Sequence, residues 1–391
     1  MQGWRSCVKS ERLFLPIALA QTLLGSSVFW RMIRTAGGEC IQSEPGKQAD
    51  GTQVSIIVPV LNEYSRLAPC LEGLLAQGAE VAEILVVDGG SEDGTQSLVA
   101  CYANRDARIR LIDASPVPDT WNGKAWGLQV GLQAASSWPN WILTVDADVR
   151  PHAALTRALL SKAQQEALPA LSVATLQDIE GFGEGLLHPA LLTTLVYRFG
   201  LPGKPIRRVE EVQANGQCFL FRRDALESCG GFLGAQHSIC EDVTIARTLV
   251  AAGYPVGFYE AGDLVTVKMY DGWRETWRNW PRSLPMRDRF SGAEVLRGWL
   301  EIVFVQALPL PLFFTLLAMR ASSRHMLALN GLLAAARIGV LFGTARAYRR
   351  RPWSYWLSPV CDLPVAIQLG RSALKRQHFW RNRVIVRGGS S

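Results

Sequence analysis

Three short apolar runs, VSIIVPV (54–60), ILVVD (84–88) and WILTV (141–145), most constrain what this chain can fold into. They are rich in β-branched residues, as expected of strands covered on both faces. Helical stretches at Ser65–Gln77, Gly94–Ala103 and Lys124–Ala135 lie between and after them, and RIRLI (108–112) reads as a further strand. Strands alternating with helices predict an α/β fold: βαβ units around a Rossmann-like, mostly parallel sheet. Ligands of such sheets bind beyond the carboxyl ends of the strands. Polar residues stand there: Asn62 and Glu63 after the first run, Asp88 after the second, Asp146 and Asp148 after a later one.

An apolar strand that ends in two carboxylates needs a reason, because an unpaired buried charge is costly. On a strand, residues i and i+2 face one side, so Asp146 and Asp148 are expected to point together into one cleft. Two hard oxygen donors suit Mg²⁺ or Mn²⁺, which complete their shells with phosphate and water. The plainer reading is a strand ending in a polar turn. Asp88, before the Gly-rich turn of VVDGGSEDGT, is placed to accept hydrogen bonds from a ribose or a base, with Asp93 capping the next helix. The alternative for Asp88 is an Asx turn. VPVLNE (58–63) turns sharply enough to bring Glu63 against a nucleotide, or serves as a strand-to-helix connection capped by Asn62. Lys124 opens a helix between Trp121 and Trp126, where a cation suits a phosphate, or is a solvated lysine. Glu241 and Asp242 begin the helical stretch Val243–Ala252. Acids in such a first turn favour the helix macrodipole.

Six segments in order, VPVLNE (58–63), VVDGGSEDGT (86–95), WNGKAWGLQVGL (121–132), TVDADV (144–149), NGQCFLFRRDALESCGGF (215–232) and ICEDVTIA (239–246), resemble the family 2 glycosyltransferases of GT-A fold. The resemblance implies a nucleotide-diphosphate sugar as donor and transfer with inversion. It implies that Pro59, Asn62, Glu63, Asp88, Lys124 and Asp146 hold the nucleotide sugar, and that Asp148, with Asp146, ligates the metal. Asp242 then takes the place of the base, with Glu241 as second choice. Processive members carry a Gln-x-x-Arg-Trp box. GWRETWRNWPRSL (272–284) offers only a loose echo in Trp277, Arg278, Trp280 and Arg282, which are assigned to the acceptor and membrane side. Transfer of one sugar is therefore expected, not polymerisation. An interfacial helix is the other reading of that segment. His188, in GLLHPALLTTLVYRF (185–199), and His237 read as a packed histidine and a loop histidine.

The flanks predict a membrane. Leu13–Trp30 is uncharged and follows Arg5, Lys9 and Arg12, which suits an uncleaved anchor or an interfacial helix. Gly37–Gln53 reads as a linker. Trp299–Met319 is apolar except for Glu301 and Gln306, and Met326–Thr344 except for Asn330 and Arg337. Trp353–Gly370 is interrupted by Pro359, Asp362 and Pro364. Two spans and one broken or re-entrant segment are expected, in a multi-pass protein with its catalytic part facing the cytoplasm. The expected domains are 1–53 (anchor and linker), 54–282 (catalytic) and 283–391 (membrane helices and basic tail). The net charge of +7 is concentrated late, in Arg346, Arg349, Arg350, Arg351, Arg371, Lys375, Arg376, Arg381, Arg383 and Arg387. A basic tail beside apolar segments suits an anionic membrane surface, and no nucleic-acid motif accompanies it. The 8 cysteines form no CxxC pair, which points to a reducing compartment.

A membrane-bound enzyme with a cytosolic donor most simply serves a lipid acceptor. WNGKAWGL and the overall layout resemble the branch that glycosylates carotenoids, myxol-type 2′-hydroxyls above all, with hopanoid or polyprenyl phosphate acceptors as the alternative. A non-catalytic scaffold would have no need of Asp88, Asp146, Asp148 and Asp242 together. A nucleotidyltransferase would need a basic, Gly-rich triphosphate loop, which the sequence lacks.

Overall fold

The first apolar run folds as the strand β1 (Val54–Val60), buried along almost its whole length. In this computed structural model, which describes residues 2–42, 51–284, 291–319, 323–375, 377–380 and 383–386, β1 lies inside an eight-stranded sheet. The other strands of this unit are β2 (Val81–Asp88), β3 (Ile109–Asp113), β4 (Trp141–Val145), β5 (Val149–Pro151), β6 (Ala170–Ala174), β7 (Leu176–Asp178), β8 (Lys204–Ile206), β9 (Cys218–Arg222), β10 (Val256–Glu260) and β11 (Val265–Val267). The sheet order is β3-β2-β1-β4-β9-β6-β10-β8. β1 pairs in parallel with β2 and β4, β2 with β3, and β6 with β10; β9 and β8 run antiparallel to their neighbours. This is the mixed α/β, mostly parallel sheet that the sequence predicts. Strand order reverses between β1 and β4, so their carboxyl ends flank the crevice where such sheets bind ligands.

The helices of this unit are α1 (Tyr64–Leu75), α2 (Thr95–Ala103), α3 (Gly123–Ala134), α4 (Leu155–Gln165), α5 (Arg223–Ser228) and α6 (Glu241–Ala251). α3 packs very close to the sheet because its glycines face the strands. A Cβ on Gly131 would stand 2.4 Å from Ile57 Cγ2, and one on Gly127 3.2 Å from Pro59 Cβ. Any larger residue at 131 would lift α3 and carry Lys124, at its N-terminal end, away from the strand ends.

The chain divides into two units, and the residues expected to form one catalytic domain, 54–282, contribute to both. The sheet unit comprises 37–178 and 202–269, together with the tail 376–391. The helical unit comprises 1–36, 179–201 and 270–375. The expected linker 37–53 is partly built into the sheet unit. Ile41 is buried and its N–H donates to Glu260 O at 2.9 Å, and Glu39 pairs with Lys162. Residues 43–50 of that segment lie outside the described residues.

In the helical unit the expected anchor is part of one helix, Gln2–Thr35, with Pro16 inside it. Among the described residues, the helical stretch Arg324–Ala347 is long and apolar enough to cross a membrane. A second span exists only if the pair Gly292–Ala307 and Pro309–Ala318, bent by 41°, counts as one. The expected span 299–319 is therefore a bent element with a π-helical turn at Ile302–Ala307. The broken segment is a 3₁₀ helix, Trp353–Cys361, followed by the α-helix Asp362–Leu374. The polar exceptions of these segments pair with one another. Arg337 Nε donates to Asp362 Oδ2 at 2.8 Å, both side chains being buried, and Gln306 Nε2 donates to Asp362 Oδ1 at 2.8 Å. Gln21 Nε2 donates to Asn330 Oδ1, and Arg31 forks onto Glu301 with two contacts of 3.0 Å. Charges in an apolar bundle are tolerated when paired in this way. Backbone at 377–380 and 383–386 pairs as an antiparallel hairpin. Arg376, Arg381 and Arg387 of the basic tail lie outside the described residues.

Candidate active site

Asp146 and Asp148 leave the end of β4 in a turn, not on the strand itself, which stops at Val145. Their convergence is thus not the alternation of a strand. The turn is closed by Val149 N donating to Asp146 O at 3.2 Å and is tied to β9 by Asp146 N donating to Gln217 O at 3.0 Å. Lys124 Nζ lies 2.8 Å from Asp146 Oδ1, 2.9 Å from Asp146 Oδ2 and 2.7 Å from Glu241 Oε1. This lysine is neither solvated nor isolated: it joins the end of β4 to the start of α6. Burial works against its charge, but the carboxylates of Asp146, Glu241 and Asp242 outweigh that and hold its pKa above the ordinary lysine value.

Asparagine 122 explains how residues so far apart in sequence meet. Its side-chain oxygen accepts from Lys124 N and caps α3, while its Nδ2 donates to Ser238 O at 2.6 Å. Its backbone N–H donates to Gln236 O at 2.6 Å. Ser238 Oγ in turn shares a 2.8 Å hydrogen bond with Thr244 Oγ1 of α6. The loop before α3 and the loop before α6 are therefore one assembly. Glycine 216 completes it. Its N–H donates to Asp242 Oδ2 at 2.7 Å, and a Cβ there would lie 3.0 Å from both Lys124 Nζ and Glu241 Oε1. Neither Asn122 nor Gly216 was singled out by sequence reasoning, although both lie in segments that carry the resemblance. The Asn-Gly step at 215–216 was the available signal.

Asp242 Oδ1 accepts from Val243 N at 2.8 Å, so both its oxygens rest on backbone donors. Burial first, and then the neighbouring Glu241 charge, pushes its pKa up to about 7. A carboxylate so tuned is suited to accept a proton near neutral pH. Asp148 is also pushed up to about 7, by burial and by the charges of Asp146 and Glu63, and its Oδ1 is buried without a hydrogen-bond partner. Glu63 thus faces the Asp146–Asp148 turn across the β1–β4 crevice.

Asp88 is buried and spends its oxygens on its own turn. Oδ2 accepts from Ser91 N at 3.0 Å and Gln96 Nε2 at 2.7 Å, and Oδ1 from Ser91 Oγ. This is the Asx-turn arrangement. Asn62, at φ +55°, donates its N–H to Ser91 Oγ and accepts from Glu92 N, so the loops after β1 and β2 are knitted together. Asp93 accepts from Thr95 N at the start of α2, where the cap position itself is Gly94, and from Tyr64 N at the start of α1. Asn62 itself does not cap α1; that position is Glu63. Pro59 packs under Gly127.

The remaining residues lie in the helical unit or outside the cluster. Trp277, Arg278 and Trp280 are on the helix Trp273–Ser283; Arg278 is exposed and Trp280 is buried with its ring 4.3 Å from that of His188. Trp280 is therefore packed inside its unit instead of facing headgroups. The side chain of Arg282 lies outside the described residues. His188 is buried and bonds Tyr348 Oη through Nδ1 at 3.0 Å, in line with a packed histidine. His237 is an exposed loop residue. Among the described residues the cysteines are free, and no group of three or more His, Cys, Asp or Glu side chains forms a ready-made metal cage.

A mixed, mostly parallel sheet with an acid cluster at its switch point defines a class of fold, GT-A-like. Residues 55–230 match the family described as Glycosyl transferase family 2. The chain is 34% identical over 122 residues to a lipopolysaccharide core biosynthesis glycosyltransferase of Rhizobium meliloti (31% of this chain, 38% of that protein). It is 28% identical over 237 residues to the 4,4'-diaponeurosporenoate glycosyltransferase of Staphylococcus aureus (59% of this chain, 60% of that protein). It thus spans 38% and 60% of the length of these two relatives. Among solved structures, a mannosyltransferase from Pyrobaculum calidifontis, in complex with GDP-Man and Mn²⁺, is similar in fold. Its TM-score is 0.53 at 18% identity, over 92% of this chain and 99% of that one. Together these findings make the matched part of the chain similar to family 2 glycosyltransferases.

Proposed function

We propose that this protein transfers a single sugar, with inversion, from a nucleotide-diphosphate sugar to a hydroxyl of a membrane lipid, a carotenoid of the myxol type foremost. The observation that carries the chemistry is Asp242: a carboxylate poised near neutrality by burial, oriented by Gly216 N–H, beside the Lys124–Asp146–Glu241 ion pairs. In the reaction Asp242 takes the proton of the acceptor hydroxyl as its oxygen bonds to the anomeric carbon. The bond from that carbon to the diphosphate breaks on the opposite face, and its electron pair leaves with the nucleoside diphosphate. Lys124 holds the Glu241 carboxylate in place. Glu63 and Asn62 stand at the strand ends assigned to the nucleotide, and Asp88 holds the turn that shapes that end of the site.

The donor set fits a hard divalent cation. Asp148 Oδ1 is a buried carboxyl oxygen without a hydrogen-bond partner, next to a second carboxyl group on Asp146. Two protein oxygens suffice for Mg²⁺ or Mn²⁺ when diphosphate and water complete the shell. Asp146 and Asp148 would hold the ion, which when bound neutralises charge on the departing diphosphate. The GT-A relative that binds GDP-Man and Mn²⁺ accords with this.

The acceptor reading rests on the Staphylococcus aureus carotenoid-type relative and on the helical unit, with its apolar helix Arg324–Ala347 and bent pair. These features support a membrane location; the cytoplasmic side is assigned to the sheet unit because nucleotide sugars are cytosolic donors. Exposed Arg278 and the adjacent Trp277 are the residues assigned to the lipid side. The test is to supply isolated membranes with nucleotide sugars and a panel of hydroxylated carotenoids, carotenoid acids, hopanoids and polyprenyl phosphates. A carotenoid glycoside is the expected product; hopanoid or polyprenyl glycosides without it would overturn the acceptor class.

A further inference from the structure

Lys124 is placed unlike a lysine reserved for phosphate. Its ammonium contacts both oxygens of Asp146 within 2.9 Å and Glu241 at 2.7 Å. Asp148, two residues away, meanwhile has a buried oxygen without a partner. The positive charge of the site is thus shared unevenly: Lys124 pairs directly with Asp146 and Glu241, while Asp148 feels Lys124 and Arg66 only through space. Space around the ammonium is limited, since a Cβ on Gly216 would stand 3.0 Å from it. Its backbone is pinned through Asn122 to Ser238, so the flexible four-carbon stem is the part free to move.

A divalent cation held by Asp146 and Asp148 needs oxygens that Lys124 already uses. Two cations on one carboxylate repel each other, the more so where the side chains are three-quarters removed from water. We propose that Lys124 is a displaceable counter-ion of the donor site: it yields Asp146 to a divalent cation and turns its ammonium to the donor diphosphate. This rests on the metal reading given above. An ammonium released from one anion beside a diphosphate finds a strong acceptor there. The lysine therefore opposes the metal alone but favours metal and diphosphate together, so that neither binds fully without the other. Such coupling is reciprocal between the two ligands.

The signature has opposite signs, which a merely structural lysine would not give. In detergent-solubilised full-length protein, Lys124→Gln is expected to bind Mn²⁺ alone about tenfold more tightly than wild type. The same variant should bind inorganic pyrophosphate about tenfold more weakly at saturating Mn²⁺, both read by calorimetry. Folded Lys124→Gln with unchanged or weaker Mn²⁺ affinity would overturn the proposal. Wild type supplies a second reading. Reductive methylation of Lys124 in pyrophosphate-free buffer, followed by mass spectrometry, should rise several-fold on adding Mn²⁺; no rise at saturating Mn²⁺ overturns the proposal. Asp148→Asn separates the two levels. If it leaves Mn²⁺ affinity unchanged, the metal reading itself fails; if it weakens Mn²⁺ while Lys124→Gln does nothing, the counter-ion role alone fails.

Discussion

Replacing Asp242 by asparagine removes the proton acceptor while keeping the shape of the side chain. Asp242 accepts two backbone hydrogen bonds, from Gly216 N at 2.7 Å and Val243 N at 2.8 Å. The amide retains one acceptor oxygen, but its NH₂ group meets the other backbone N–H. That mismatch costs about 1–3 kcal/mol of stability, enough to lower the melting temperature by a few degrees without unfolding the protein. The loss of the base costs more. General base catalysis contributes roughly 10²- to 10⁴-fold, or about 3–5 kcal/mol of barrier. The expected result is a fall of that size in sugar transfer by Asp242→Asn membranes given labelled donor. Mn²⁺ and nucleoside diphosphate should still raise the melting temperature, because ligands that bind only the folded state stabilise it. The pH profile supplies an independent check. With the Asp242 carboxyl pushed up to about 7, only its deprotonated form accepts a proton. Wild-type kcat/KM should climb as pH rises to about 7, then level, and fall about tenfold per unit well below it. Near-wild-type turnover in Asp242→Asn, or a wild-type profile flat from about pH 5.5 to 8, refutes the assignment of Asp242 as base.

Two further outcomes follow from packing. Gly216→Val places a side chain where a Cβ already lies 3.0 Å from Lys124 Nζ and Glu241 Oε1. It should cost about 1–3 kcal/mol of stability by overpacking, measured by thermal unfolding, and a disproportionate loss of transfer as the ion pairs are forced apart. In the helical unit, Asp362→Ala leaves Arg337 buried without its partner and should destabilise by about 3–5 kcal/mol, whereas Arg337→Met with Asp362→Leu should recover most of that in detergent unfolding.

What the sequence determined by itself was the sheet unit and the chemistry of its strand ends. VSIIVPV and ILVVD specify buried parallel strands because burial on both faces demands uninterrupted apolar residues, and that demand is local. The acids that end those strands are visible for the same reason: a charge after such a run must surface or be paired. The tertiary structure decided which pairings occur. Lys124 and Glu241 are more than a hundred residues apart and meet only because Asn122 joins the loop before α3 to Ser238, a contact that no periodicity announces. The turn that gathers Asp146 and Asp148 was mistaken for strand alternation because both place i and i+2 on one side. The polar residues inside the apolar helices likewise read as interruptions. In the fold Arg337, Asp362 and Gln306 satisfy one another, since a buried charge depends on a partner brought by another segment of the chain.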